Sequence, residues 1–345
     1  MFVKKNFSLK DVLAFTWLHM VWLTLWSTLA TAIYFFTGFE WLAIPWSALS
    51  VIGIAVSFTV GFKNNQSYDR MWEARKVWGA IVNDSRSIAS QCNGFISNLF
   101  TETPESEMNL QKVRTRILHR HIAWLYTLRG QLLIPTSWEH VSLGMHIGSL
   151  KEKRMEKYGT GLVKEFVDKI KMEDFLDAAE LSRMSSFKNQ ATFLIDEQTK
   201  DLRNIREANL IDDFRHMEMQ ALLTNFYGHQ GKLERIKKFP LPRQYANMSL
   251  IFVGIFIFLI PFSMASVFSE YAAYATWISI PFSALIGWIF ISMELMGDYS
   301  ENPFEGLGND IPMLSLCRTI EIDLRQMLGE QDIPEPIPAK RGVLM

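Results

Sequence analysis

The sequence predicts an all-α membrane protein: four transmembrane helices in two pairs, with a large helical region between the pairs. Three observations predict it. Four stretches are apolar over about 20 residues, the length that spans a bilayer as a helix. Lys and Arg are absent from Asp11 to Phe62 and again from Gln244 to Cys317. The intervening segment is rich in Glu, Lys, Arg, Leu, Met and Gln and lacks alternating β-branched runs, so it reads as helix. Of the 345 residues 49% are apolar, and the net charge of −1 shows no bias toward nucleic acid.

The first stretch runs from about Leu13 to Phe36 and follows Lys4, Lys5 and Lys10. It is too long for the core of a signal peptide, and no small-residue cleavage site follows it. His19 lies within it, and an intramembrane imidazole of this kind is expected to make a hydrogen bond at a helix contact.

The second stretch runs from Trp41 or Pro45 to Phe62 and turns polar at Lys63, Asn64 and Asn65. Gly53, Ser57 and Gly61 recur every fourth residue, a face that lets helix backbones approach closely in lipid. Ile54, Phe58 and Phe62 form a bulky stripe beside it, rotated by about 100° because a helix turns once in 3.6 residues. If the small face meets the same helix of a second copy in a ring, the bulky stripe points to the axis and makes an apolar constriction. The same pattern also fits a tightly packed helix whose Ile and Phe face lipid.

The middle, Lys63 to Arg243, divides into several helical pieces. These are Tyr68 to Phe100, Asn109 to Leu133, Glu173 to Ser185, Lys188 to Ile205 and Arg206 to Phe239. Thr103-Pro104, Pro135-Thr136 and Gly159 to Gly161 separate them as turn signals. Trp72 and Trp78 are expected in cores or subunit contacts. The third stretch runs from about Met248 to Phe268 and the fourth from about Tyr274 to Met293. Pro261 and Pro281 fall inside them and are expected to kink them. Glu294 and Asp298 end the fourth stretch and are expected to pair with basic residues such as Arg70 or Arg75, or to help hold the Asn-Pro-Phe segment. The tail after Gln331 is proline-rich and expected to be extended or disordered.

Basic residues flank the cytoplasmic ends of spans, whereas the linkers TGFE and SEYAA carry only acidic charge. Both linkers are therefore expected outside, with both termini and the middle in the cytoplasm. The domain reading is 1–62 for the N-terminal segment and the first two spans, 63–245 for a cytoplasmic helical domain, 246–296 for the last two spans and 297–345 for a cytoplasmic tail.

Nothing in the sequence supports catalysis: there is no His-Glu-x-x-His, phosphate-binding glycine loop or nucleophile elbow. Cys92 and Cys317 follow no metal or redox spacing and are expected as reduced thiols. His119 and His121 lie two apart on a helix and face apart, which argues against a metal site. No cofactor is expected. A membrane-anchored oligomeric scaffold or signalling protein shares the same topology and remains the alternative to a pore.

The stretches GFKNNQSYDRMWEARKVWG (Gly61 to Gly79), ENPFEGLGNDIPM (Glu301 to Met313) and CRTIEIDL (Cys317 to Leu324) resemble the bestrophin family, especially its bacterial branch. The resemblance covers most of the chain. It implies a homopentameric channel around a central pore, in a bacterial inner membrane, passing small monovalent ions. Chloride or another anion is the family default, and a monovalent cation is the alternative seen among bacterial relatives. It also implies a neck at Ile54, Phe58 and Phe62 and a cytosolic aperture at Phe214. Near those positions the charges conflict: Lys63 favours anions, whereas Asp212 and Asp213 favour cations; Asp213 fits a solvated helix residue or a helix cap equally well. Where eukaryotic members hold calcium with a run of Asp, this chain keeps Asn302 and Asp310 but has Leu307 and Gly308. Calcium needs six to eight oxygens, so no calcium gating is expected.

Overall fold

The structure, a computed structural model, describes residues 1–6, 9–38, 40–142, 152–153 and 155–345; Phe39 of the first linker lies outside the described residues. Among them the chain is helical, with no strand and only two isolated bridges, Phe2 with Val343 and Lys340 with Val343. Among the described residues nine α-helices of eight residues or more carry the architecture: α1 Leu9–Thr37, α2 Trp46–Phe95, α3 Glu107–Leu132, α4 Ala178–Ser185, α5 Gln190–Glu207, α6 Asp213–Lys238, α7 Arg243–Ser269, α8 Ser279–Asp298 and α9 Met313–Leu328. Four helical stretches are long and apolar enough to cross a membrane, and they fall on α1, α2, α7 and α8.

The chain divides into two compact units. The first comprises Lys4–Met71 and Pro240–Asn302 and holds all four apolar stretches. Within it α1, α7 and α8 pack on one another. Leu49, Val56 and Val60 of α2 join Val253, Phe256, Ile257 and Ile260 of α7 in one buried cluster. Pro281 sits in the first turn of α8 rather than in its interior, where its missing N–H leaves no helical bond unmade. Pro261 does lie inside α7.

The second unit comprises Met1–Val3, Trp72–Phe239 and Pro303–Met345. Here α3 is the central helix, packed by α5, α6 and α9. Side-chain caps set the helix starts: Ser106 accepts from the Asn109 N–H, Asp177 from Glu180, Asn189 from Thr192 and Asp212 from Arg215. The sequence boundary at Arg206 shifts to Asp213 because Asn209 takes a left-handed conformation, φ 55°, and breaks the run. Trp78 is buried here, as expected, whereas Trp72 is half exposed. The proline-rich tail is extended but docked. Ile337, Val343 and Met345 are buried, and Val343 bridges to Phe2.

The polar turn at Lys63 does not end a helix. No proline interrupts Trp46–Phe95, and α2 continues through it as one helix of 50 residues.

Candidate functional site

Along its apolar half, α2 has two unlike faces. Leu49, Val56 and Val60 are buried against α7. Ile54, Phe58 and Phe62 lie on the open side, 59%, 66% and 64% exposed, and with Ser57, Gly61 and Asn65 line one groove of about 450 Å³. The local sequence explains the split. Successive residues turn by about 100°, so a residue four positions on is displaced by about 40° and the i, i+4 stripe winds slowly round the helix.

That drift separates the three small residues that the sequence placed on one face. Gly53 is buried within its own chain: a Cβ there would lie 3.0 Å from Cε2 and Cζ of the Phe256 ring. Gly53 therefore serves the contact with α7, not a contact with a second copy. Gly61 has nothing within 4 Å of such a Cβ, and Ser57 is exposed with its hydroxyl donating back to the Gly53 carbonyl at 2.8 Å. Both remain on the open strip beside the bulky stripe.

Lys63 departs from expectation. It is buried, and its Nζ lies 2.5 Å from Glu294 Oε1 of α8. The other carboxylate oxygen of Glu294 accepts from Ser249 Oγ of α7 at 2.5 Å. Lys63 thus brings no free charge to the open face of α2, because its ammonium is neutralised inside the chain. Glu294 correspondingly pairs with Lys63 rather than with Arg70 or Arg75. The next residue, Asn64, donates its Nδ2–H to the Met293 carbonyl at 3.1 Å. The sequence held a signal for this pair. Lys63 is the first cation after a long uncharged run, and Glu294 is a carboxylate set in an apolar stretch. Buried charges of this kind are found paired.

In the second unit Phe214 is 80% exposed on the first turn of α6, with Met217 also exposed. The two acidic neighbours are committed. Asp212 caps α6 by accepting from the Arg215 N–H at 2.9 Å. Asp213 is exposed, but Arg206 Nε lies 2.6 Å from its Oδ1 and holds its carboxyl below the usual carboxylate range. Neither stands as the bare acidic charge that the sequence suggested.

The Asn-Pro-Phe segment is a wrapped loop. Asp310 is buried, and its carboxylate accepts from the backbone N–H groups of Phe304, Gly306 and Ile311 at 3.1, 2.8 and 2.7 Å. Phe304 is fully buried with φ 74°, and a Cβ on Gly306 would lie 2.7 Å from Thr160 Cγ2. The acceptor capacity of Asp310 is thus spent largely on its own loop. No group of three His, Cys, Asp or Glu able to hold a metal occurs among the described residues.

His19, His119 and His121 have protein partners. His19 Nδ1 accepts from Trp22 Nε1 within α1, an i, i+3 bond. His119 meets Glu330 at 2.6 Å. His121 is buried against Trp124 and Phe226 and lies 2.8 Å from Ser85 Oγ. That hydroxyl also lies 2.6 Å from the Ile81 carbonyl, which can only accept. Ser85 has one proton to give, so His121 Nε2 carries the N–H toward it.

Residues 7–326 match the sequence profile described as Bacterial/Fungal Bestrophin protein. The chain is 26% identical over 291 residues to the voltage-dependent anion channel-forming protein mll4386 of Mesorhizobium japonicum, which spans 84% of this chain and 77% of that one. It is 27% identical over 294 residues to the voltage-dependent anion channel-forming protein YneE of Salmonella typhi, spanning 85% and 80%. Its fold is similar to the crystal structure of a bacterial bestrophin homolog from Klebsiella pneumoniae, with a TM-score of 0.72 at 20% identity over 91% of this chain and 99% of that one.

Proposed function

The chain belongs to the bacterial and fungal bestrophin family, and we propose that it forms a membrane channel for small monovalent anions, built from five copies around one axis. The observation that carries the proposal is the bare face of α2: Ile54, Phe58 and Phe62 are exposed along one groove while the opposite face of the same helix is buried. In the ring, Ser57 and Gly61 let neighbouring copies approach, and the bulky stripe closes on the axis as a neck. Phe214, exposed on α6, makes a second constriction at the cytosolic exit. The family and the channel-named relatives support a channel over an enzyme.

The anion preference is supported by the names of the relatives, anion channel-forming proteins. Neither Lys63 nor Asp213 decides it, since each is paired within the chain. A neck without charged side chains favours monovalent ions, since the cost of shedding water rises steeply with charge and nothing in the neck offsets it. Calcium does not gate the channel, because the Asp310 carboxylate already accepts three backbone N–H groups. The membrane is the inner membrane of the cell, with both termini and the second unit on the cytoplasmic side, as the basic flanks of the spans direct.

Flux from chloride-loaded liposomes containing the purified protein tests the proposal. Chloride efflux and a chloride reversal potential in asymmetric NaCl are expected, unchanged by calcium, and Phe58→Ala gives a faster or less selective pathway. A sodium reversal potential overturns the anion assignment, micromolar activation by calcium overturns its absence from gating, and no flux at all leaves an oligomeric scaffold.

A further inference from the structure

The buried Lys63–Glu294 pair sits next to the end of the bulky stripe. Lys63 follows Phe62 directly, yet the two side chains part by about 100° around the helix: Phe62 is 64% exposed on the groove, and Lys63 is buried against Glu294. The pair joins three helices, since Glu294 of α8 accepts from both Lys63 of α2 and Ser249 of α7. A second polar tie lies beside it, from Asn64 to the Met293 carbonyl. Gly297, one turn farther along α8, makes room for both: a Cβ there would lie 2.3 Å from Asn64 Oδ1 and 3.3 Å from Lys63 Cγ. Two consecutive residues of α2 are therefore fixed to α8 at one height.

Resting on the reading of Ile54, Phe58 and Phe62 as a neck, we infer that Lys63 and Glu294 are positioning residues that set the height and rotation of Phe62 in the constriction. Elsewhere the contact of α2 with α7 is apolar, through Leu49, Val56, Val60 and the close approach of Gly53 to Phe256. Apolar packing has no direction and tolerates small slides, whereas a buried charge that slides away from its partner charge is left poorly compensated. The pair consequently fixes the register of α2, and with it the ring one residue away. Being neutral as a unit, it acts on the size of the opening and not on the sign of the ion.

Single-channel recording in planar bilayers tests this, reading the iodide-to-chloride permeability ratio from reversal potentials. This ratio reports the shape of the neck, while a merely structural loss lowers only the number of channels. Lys63→Met and Glu294→Gln are expected to move the ratio by about threefold, since misplacements well under an ångström alter a fitted site, in the direction taken by Phe62→Ala. Exchanging the charges, Lys63→Glu with Glu294→Lys, restores the wild-type ratio. Lys63→Met adds nothing to Phe62→Ala, because both act through one ring. Should the single variants fail to fold, Lys63→Met with Glu294→Met removes the pair without leaving a bare buried charge and is expected to show the same shift. A folded variant with the wild-type ratio, or a shift that adds in full to that of Phe62→Ala, overturns the inference while the channel stands. A wild-type protein that conducts nothing removes the channel reading and this inference with it.

Discussion

Gly53 of α2 lies against the ring of Phe256 of α7 so closely that a Cβ would come within 3.0 Å of two ring carbons. Eight residues on, Gly61 has nothing within 4 Å. Two glycines of one sequence stripe thus serve different partners. Gly53→Ala is expected to destabilise the fold by ~1–3 kcal/mol through overpacking. Gly61→Ala is expected to leave the fold as stable or raise it by ~0.5–1 kcal/mol, because alanine is the better helix former. On assembly the order reverses, and Gly61→Ala weakens the ring. Thermal unfolding in detergent and native mass spectrometry check the two arms. A wild-type melting temperature for Gly53→Ala contradicts the first, and an intact pentamer for Gly61→Ala contradicts the second.

The Lys63–Glu294 pair predicts a non-additive stability cycle. Losing either partner leaves a charge buried alone, so Lys63→Met is expected to cost ~3–5 kcal/mol, whereas replacing both residues with apolar ones is expected to be near neutral. Thermal unfolding of the two single variants and the double variant measures it. Equal losses that simply sum in the double variant show that the charges do not depend on each other.

Near Phe214, the acidic charge and its basic partner are expected to cancel until one of them is removed. Asp213→Asn uncovers five guanidinium groups and raises the chloride-to-sodium permeability ratio. Arg206→Ala uncovers five carboxylates and lowers it. Reversal potentials in asymmetric NaCl distinguish these, and shifts of the same sign in the two variants contradict the pairing.

His121 predicts a loss of stability in acid. Burial lowers its pKa from 6.5 to about 3. The folded protein therefore resists a proton that the unfolded chain takes up below pH 6.5. Stability is present in full above that value and falls as pH drops toward 3, by ~1.4 kcal/mol per unit for one group. His121→Gln is expected to flatten the pH dependence of thermal unfolding between pH 6.5 and 4 by about one proton. An unaltered slope assigns the acid sensitivity to other groups.

The four apolar stretches were legible because a bilayer imposes a length and an apolar composition that few other constraints do. The helical middle was legible from composition and its turn residues. What the sequence hid were partnerships across it. Lys63 reads as a basic flank until α8 places Glu294 beside it. Asp212 and Asp213 read as an acidic pair until one caps α6 and the other meets Arg206. Gly53 and Gly61 look equivalent at fourfold spacing, and only the slow winding of that stripe separates them. The continuity of α2 through Asn64 and Asn65 was hidden as well, since polarity changes there without any residue that breaks a helix. The exposed stripe was visible from periodicity, because Ile54, Phe58 and Phe62 are spaced as helix neighbours.

The central claim, that this stripe borders the ion path, is tested most directly at Phe58 by cysteine accessibility in a conducting bilayer. The background is quiet: Cys92 and Cys317 are both buried, and burial pushes the Cys317 thiol up to about 12, which keeps it from reacting. With Phe58→Cys, a water-soluble charged thiol reagent is predicted to block or sharply reduce chloride current, while the wild type is unaffected. Current that persists undiminished after mass spectrometry shows the introduced cysteine fully labelled would place residue 58 away from the path and contradict the account.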